Sequence, residues 1–368
     1  MRTSLASGLV FANSNDNLLK ELTEKRPMAS VPFGARYRLI DFTLSNLSNA
    51  GITNVGIITT HNNTSLIDYV GNGTHWGLDR KNGGLRILSP DRPDGKDFKG
   101  TIDALKIATE FIKRCGSEYI VLCASDILGN IDIGAAVNKH AETGADITVV
   151  YHKGVLPANR EDSMVFTFDK DGRVTRIELE TTSNQELDYG IGITIISRKL
   201  LFVLIVGACD NNLTSFNRDI LANKVNELKI MGFNHSDFVI LMNGMDTYYQ
   251  ASMALLNQDV RRQLFNPERP IYKKNRDETP TRYGIESDVK NCFIGNGCVI
   301  DGIVRNSILF PNVKVEKGAV VENCILMPDS NVRSGAKIQN VITDKNAVIA
   351  PNSVMKASSD TQFYIAKT

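Results

Sequence analysis

In the stretch Ile338-Gln339-Asn340-Val341-Ile342-Thr343-Asp344-Lys345-Asn346-Ala347-Val348-Ile349-Ala350-Pro351-Asn352-Ser353-Val354, aliphatic residues return at Ile338, Ile342, Val348 and Val354. The interval is about six residues, the step of a hexapeptide repeat. Val313, Val320, Ile325 and Val332 repeat the pattern less strictly upstream. Turn formers fill the gaps, as in Ile294-Gly295-Asn296-Gly297 and Met327-Pro328-Asp329-Ser330-Asn331. No stretch from residue 286 onward is long enough for a helix. One buried aliphatic followed by turn residues predicts a parallel β-helix, in which each coil buries its aliphatic on the coil beneath. The competing reading is a small antiparallel sandwich.

Upstream, Asn266-Pro267-Glu268-Arg269-Pro270 to Tyr283-Gly284 carries three prolines and many charges and reads as an extended linker over 266–285. Residues 1–265 alternate short apolar runs with longer amphipathic ones. Strands are expected at Ala6–Phe11, Val55–Thr60, Tyr119–Ala124, Ile147–Tyr151 and Phe238–Met242. Helices are expected at Thr101–Arg114, where Ala104, Ile107, Ala108 and Phe111 keep helical spacing, and at Ile133–Thr143 and Phe216–Leu228. Alternating strand and helix predicts an α/β domain with a mostly parallel sheet covered on both faces, its ligands gathered at the carboxyl ends of strands. The β-helix then occupies 286–368.

Composition narrows the function classes. A length of 368 residues exceeds what one core serves, and 42% apolar with 23% charged residues excludes a disordered or fibrous chain. The formal charge of +1 provides no net field to recruit nucleic acid or an anionic membrane, so neither partner is expected. The longest apolar run, Leu200 to Cys209, is half of the ~20 residues that cross a bilayer. The first twelve residues read as a buried strand rather than a signal peptide. Six cysteines without a CxxC pair fit a reducing, cytoplasmic compartment. The last of the five histidines is His235, so the β-helix lacks the histidine base that hexapeptide acyltransferases use.

Several motifs carry a family resemblance. Val31-Pro32-Phe33-Gly34-Ala35-Arg36-Tyr37-Arg38-Leu39-Ile40-Asp41-Phe42-Thr43-Leu44-Ser45-Asn46 is very similar to a signature of bacterial glucose-1-phosphate adenylyltransferases. So are Gly73-Thr74-His75-Trp76-Gly77-Leu78-Asp79-Arg80, Gly100-Thr101-Ile102-Asp103-Ala104 and Arg269-Pro270-Ile271-Tyr272. The resemblance covers nearly the whole chain. It implies a Rossmann-like nucleotidyltransferase domain followed by a left-handed β-helix, in tetramers that transfer the adenylyl group of ATP to glucose 1-phosphate with Mg²⁺, for glycogen synthesis. That chemistry needs backbone amides, cationic side chains and a carboxylate-held metal around the phosphates.

The sequence departs from the family at those positions. The glycine-rich phosphate loop is replaced by Asn13-Ser14-Asn15-Asp16-Asn17-Leu18-Leu19, with Leu18 where the family has arginine. Met28 stands for a lysine, and Glu180 for the lysine that grips the sugar phosphate. Of two metal-holding aspartates, Asp126 remains and Leu241 fills the other position. Charge-handling residues are lost while packing motifs persist. This pattern resembles the family's second subunit type, which lacks active-site residues.

The expectation is therefore a regulatory, non-catalytic subunit that assembles with a catalytic homologue, and with itself, in a heterotetramer. An active adenylyltransferase and a stand-alone sugar-phosphate or nucleotide sensor are the alternatives. Lys25, Arg26 and Arg38 match an effector pocket for sugar phosphates, against the plainer reading of a solvated charged face. Gly100, Thr101 and Asp103 suit either a weak nucleotide contact or a helix N-cap. Trp76 suits either stacking on a ligand or plugging a core edge.

Overall fold

The computed structural model describes residues 5–12, 15–60, 62–90, 98–158, 160, 163–179, 183–275, 277–358 and 362–367. The first domain is built on a nine-stranded sheet. Its strands are β1 (Ala6–Phe11), β2 (Asn54–Ile58), β3 (Gly84–Leu88), β4 (Tyr119–Ala124), β5 (Ile147–Val155), β6 (Met164–Phe168), β7 (Val174–Leu179), β8 (Glu186–Ser197) and β9 (Ile230–Asn234). The order is β7-β6-β8-β4-β1-β2-β3, with β5 joined to β8 and carrying β9. All six residues of β1 are buried, as a central strand covered on both faces requires. It pairs in parallel with β2 and β4, and β2 in parallel with β3. The expected parallel sheet is thus found around β1. The long strand β8 makes the sheet mixed, running antiparallel to both β4 and β5.

Side chains alternate between two cores, since successive strand residues point to opposite faces. Val10, Ile57 and Val121 enter one, together with Leu44 and Val137 from the helices Leu39–Asn49 and Ile133–Thr143. Leu9, Ile58 and Leu122 enter the other, with Leu105 and Leu201 from the helices Thr101–Ile107 and Arg198–Asp210. The helix Ile133–Thr143 has the expected bounds because both ends are signalled. Asp132 caps the Ala135 N–H, and Gly144 ends it with φ 57°. The expected helix Thr101–Arg114 is broken into Thr101–Ile107 and Thr109–Arg114. Thr109 Oγ1 donates to the Lys106 carbonyl at 2.6 Å, the local competition that disfavours threonine within a helix. Phe216–Leu228 is helical only over Phe216–Ala222.

The second unit stacks parallel strands in three five-stranded sheets, the architecture of a left-handed β-helix. Its full coil takes 17 residues, from Val304 to Val321 to Ile338, one fewer than three hexads. Corners recur at that step: Asn306, Asn323 and Asn340; Asn312, Asp329 and Asn346; Gly318, Gly335 and Asn352, all with φ between 44° and 75°. Asparagine and aspartate are, after glycine, the residues that tolerate this conformation best. The short side corrects the sequence reading of which aliphatics face inward. Ile338 does, but Ile342 faces the first domain, while Val348 and Val354 are 45% and 65% exposed. Their inward neighbours are Ile349 and Met355, because a one-residue slip moves a strand's side chains to the other face.

The two units meet in a continuous apolar seam. Leu19, Leu22, Met28, Phe33, Tyr248 and Leu255 pack against Ile308, Phe310, Ile325, Met327 and Ile342. The β-helix side facing the domain is apolar on both its faces, hence the paired aliphatics Ile308-Leu309 and Ile325-Leu326. Tyr248 donates its hydroxyl to the Pro32 carbonyl at 2.7 Å, and Tyr249 to the Asn323 carbonyl at 2.8 Å.

Candidate functional site: a cleft and a cationic seam

A cavity of about 400 Å³ opens at the carboxyl ends of β1 and β4, where a parallel sheet gathers ligands. It is lined by Asn15, Lys99, Gly100, Thr101, Arg160, Ser163 and Arg218 among others, and no carboxylate is among its described lining residues. The loop after β1 keeps a tight turn without glycine: Asn15 lies at φ 60°, ψ 22°. Asn13 and Ser14 lie outside the described residues, as does Glu180. Beyond the turn the chain forms two short 3₁₀ turns over Asp16–Leu22, kinked at Lys20, where φ is 42°. Asp16 Oδ1 accepts the Met28 N–H at 2.7 Å. Leu19, Leu22 and Met28 are fully buried in the seam, and half-buried Leu18 packs against the same cluster. Leu18 and Met28, two positions where the resemblance implies phosphate-handling cations, thus belong to the apolar seam.

Asp126, just after β4, is fully buried. Its Oδ2 accepts from Arg160 Nη1 at 2.6 Å and from Asn15 Nδ2 at 2.7 Å. The same Nη1 donates to the Met242 carbonyl at 2.9 Å, and the Met242 N–H donates to the Asp126 carbonyl at 3.0 Å. Leu241, 3% exposed, ends the ribbon Val239–Leu241, which pairs antiparallel with Ile127–Gly129 so that Leu241 lies opposite Ile127. A divalent ion does not fit this arrangement. The one remaining carboxylate already holds a guanidinium through Oδ2, and its Oδ1 is buried with no partner among the described residues. A second cation on the same carboxylate would be repelled by several kcal/mol even at an effective dielectric of about 20. No group of three His, Cys, Asp or Glu able to hold a metal occurs among the described residues.

Gly100, Thr101 and Asp103 are engaged structurally. A Cβ on Gly100 would come within 2.4 Å of the Thr214 carbonyl oxygen. Thr101 Oγ1 accepts the Phe216 N–H at 2.7 Å, and Asp103 Oδ2 accepts the Lys99 N–H at 3.0 Å. The first two contacts latch the helix Thr101–Ile107 to the 214–216 segment, and the third caps the helix's own N-terminus. Trp76 is 1% exposed and packs edge-on to Tyr69, so it plugs the core.

A second cavity, about 260 Å³, lies where the first domain meets the β-helix. Among its described lining residues, Arg36, Arg38, Lys273, Lys274 and Lys345 face two acids, Glu278 and Asp329. Arg38 Nη1 donates to the Ser65 carbonyl at 2.8 Å, and its guanidinium lies 4.0 Å from the Tyr69 ring centroid. Burial, and then the charge of Arg36, hold Lys273 below the ordinary lysine range. Beneath the cavity, Asp41 is fully buried and accepts from Tyr69 Oη at 2.7 Å and from the Arg38 N–H at 2.9 Å. Burial pushes its carboxyl up to about 7. Of the three basic residues singled out in the sequence, only Arg38 lines this cavity. Lys25 is exposed and does not line it, and Arg26, 8% exposed, is ion-paired with Asp344 of the β-helix, its Nη2 donating to both carboxylate oxygens at 2.7 and 2.8 Å. Arg36, Lys273, Lys274, Lys345 and Arg160 escaped sequence reasoning. Arg36 lies inside one quoted motif and Lys273 directly follows another, a signal that could have found them, whereas nothing local marks Arg160.

Comparisons with known proteins agree with this architecture. Residues 15–179 match the family model described as nucleotidyl transferase, and residues 279–365 the model described as GlmU-like, C-terminal hexapeptide. Glycogen biosynthesis protein GlgD of Bacillus subtilis is 34% identical over 93% of this chain and 90% of its own length. GlgD of Geobacillus stearothermophilus is 33% identical over 85% and 82%. Glucose-1-phosphate adenylyltransferase of Clostridium acetobutylicum is 28% identical over 85% and 83%. No helix among the described residues is long and apolar enough to cross a membrane.

Proposed function

Given that the chain belongs to the glucose-1-phosphate adenylyltransferase family, together with the GlgD-type glycogen biosynthesis proteins, we propose that it acts in glycogen synthesis as a regulatory subunit without catalytic turnover of its own. It assembles with a catalytic homologue, in a heterotetramer, and raises or tunes that partner's formation of ADP-glucose. The working units are the nucleotidyltransferase-like domain 1–265, the linker 266–285 and the β-helix 286–368, in a cytoplasmic setting that suits six free cysteines.

The observation that carries this reading is the state of Asp126. In adenylyl transfer a sugar-phosphate oxygen attacks the α-phosphorus of ATP and pyrophosphate leaves, so the site must neutralise charge that moves toward the leaving group. Here the remaining metal-position carboxylate is held by Arg160 and Asn15, and Met28 has joined the seam core. The cations at the seam support a retained effector site for a sugar phosphate. Arg36 and Lys273 crowd each other there, and an anion between them would relieve the repulsion.

The test is enzymatic. The purified chain is assayed for ADP-glucose from ATP, Mg²⁺ and glucose 1-phosphate, alone and with a catalytic homologue. No turnover alone and a changed kcat or effector response of the homologue are expected. Robust turnover by the isolated chain overturns the proposal.

A further inference from the structure

We propose that Arg160 is a built-in counter-ion that takes the place of a divalent metal at Asp126 and excludes such ions from the cleft. The inference rests on the reading of the cleft as non-catalytic, and is independent of what the chain does to a partner.

Three features carry it. The first is geometric: Arg160 comes from the segment between β5 and β6, and its nearly buried side chain reaches a fully buried carboxylate at 2.6 Å. Burial of both partners makes the pairing obligatory, since an isolated charge at either position lacks solvent to stabilise it. The second is connectivity. Arg160 Nη1 also serves the Met242 carbonyl, and Asp126 Oδ2 also receives Asn15, so one charge pair ties together the loop after β1, the end of β4 and the residue after the Val239–Leu241 ribbon. Swinging the guanidinium out to admit a metal would leave the Met242 carbonyl without its side-chain donor and break the tie at its centre. The third is charge. Asp126 and Arg160 cancel, and the described lining of the cleft adds Lys99 and Arg218, the latter paired with Asp219 just outside the lining, without any acid. A divalent ion normally draws on one or two carboxylates together with phosphate oxygens. Here its carboxylate is neutralised and its second position is Leu241.

The alternative is that metal binding fails only because Leu241 replaced an acid, with Arg160 a bystander. The two are separated by titrating Mn²⁺ into the full-length chain and reading free Mn²⁺ by electron paramagnetic resonance. The wild type should show no saturable site, and Leu241→Asp alone should show none either. Leu241→Asp with Arg160→Ser should gain a site at least tenfold tighter, one that Asp126→Asn removes. A wild-type site abolished by Asp126→Asn, or equal affinity for Leu241→Asp with and without Arg160, overturns the proposal. Should Leu241→Asp not fold, the melting temperatures of wild type, Arg160→Ser and Arg160→Ser/Asp126→Asn are compared with and without Mn²⁺. A rise of several degrees in Arg160→Ser alone is expected, and an equal response in all three, zero included, overturns the proposal. Activation of a catalytic homologue is followed in parallel. Mn²⁺ binding with activation retained would sink the counter-ion and leave the regulatory reading standing; no Mn²⁺ binding with activation absent would do the reverse.

Discussion

The cleft at the ends of β1 and β4 and the seam beneath the β-helix flank the same segment, residues 15–38, yet they treat charge in opposite ways. In the cleft, which Lys99 and Arg218 also line, the cation beside Asp126 is internal: Arg160 is closed onto Asp126, and Met28, where the resemblance implies a lysine, points into an apolar cluster. At the seam, Arg36, Lys273, Lys274 and Lys345 line an open cavity with few acids. The sheet carries both because its strands are specified by residues such as Leu9, Val10, Val121 and Leu122, none of which contributes charge to either region. On the proposed reading of the cleft, a substrate site can lose its electrostatics while the fold persists. The seam has less latitude, because its polar contacts also hold two units together.

The sharpest way to break that contrast is at Arg26. Its guanidinium and the Asp344 carboxylate are both under a tenth exposed, and the pair bridges the domain and the β-helix. Arg26→Ala leaves Asp344 buried without its counter-charge, and a loss on the order of 3–5 kcal/mol in unfolding free energy is expected by chemical denaturation. Arg26→Met combined with Asp344→Leu should recover most of it, since the desolvation cost disappears with both charges. On the cleft side, Ser163→Ala removes a hydroxyl that only reaches the Arg160 carbonyl at 3.2 Å, and should stay within about 0.5 kcal/mol of wild type. Equal costs for Arg26→Ala and Ser163→Ala would erase the difference between the regions.

Asp41 sharpens the comparison through pH. Burial raises its carboxyl from 3.8 to about 7, only partly offset by the Arg38 N–H and the Tyr69 hydroxyl. The folded chain thus holds this proton more tightly than the unfolded one. The stabilisation is complete below pH 3.8 and is lost as pH rises through about 7. Asp41→Asn removes that dependence. The stability of wild type relative to Asp41→Asn should fall by a few kcal/mol between pH 5 and 8, measured by denaturation at each pH. Parallel curves would show that Asp41 titrates as an exposed carboxylate does, and that the floor of the seam cavity is wet.

What was legible in the sequence follows from the range of the forces involved. β1 and β4 were readable at their bounds because a strand covered on both faces is an apolar run and needs no distant information. Ile133–Thr143 was readable because Asp132 and Gly144 announce its ends. The β-helix was readable in its period but not in its facing, since only the assembled coil shows that one side is a residue short and that Ile349, not Val348, turns inward. In the site, the motifs around Arg38 and Asp126 located both regions. Arg160 was invisible because its partner is 34 residues away, and nothing in Leu156-Pro157-Ala158 ahead of it marks an arginine for a buried acid. Arg26 read as one of a basic trio, but its partner Asp344 lies 318 residues downstream, and only the docking of the two units pairs them.

The smallest expected effect tests whether the seam reaches into the coil corners. Asn323 and Asn352 are both corner residues in the left-handed region, at φ 50° and 56°. Replacing either by alanine forces a Cβ-bearing residue without a local hydrogen-bonding side chain into that region, at a cost of about 1 kcal/mol. Replacement by glycine should be near neutral at both. The corners differ in what leans on them, because the Asn323 carbonyl receives the Tyr249 hydroxyl from the first domain, whereas Asn352 is exposed at the last coil. If the seam is one mechanical unit, Asn323→Ala should cost more than Asn352→Ala, and Tyr249→Phe should remove the excess. Equal costs with Tyr249 intact would confine the seam's influence to its apolar contacts and to Arg26, and the corners would then answer only to the coil stacked above and below them.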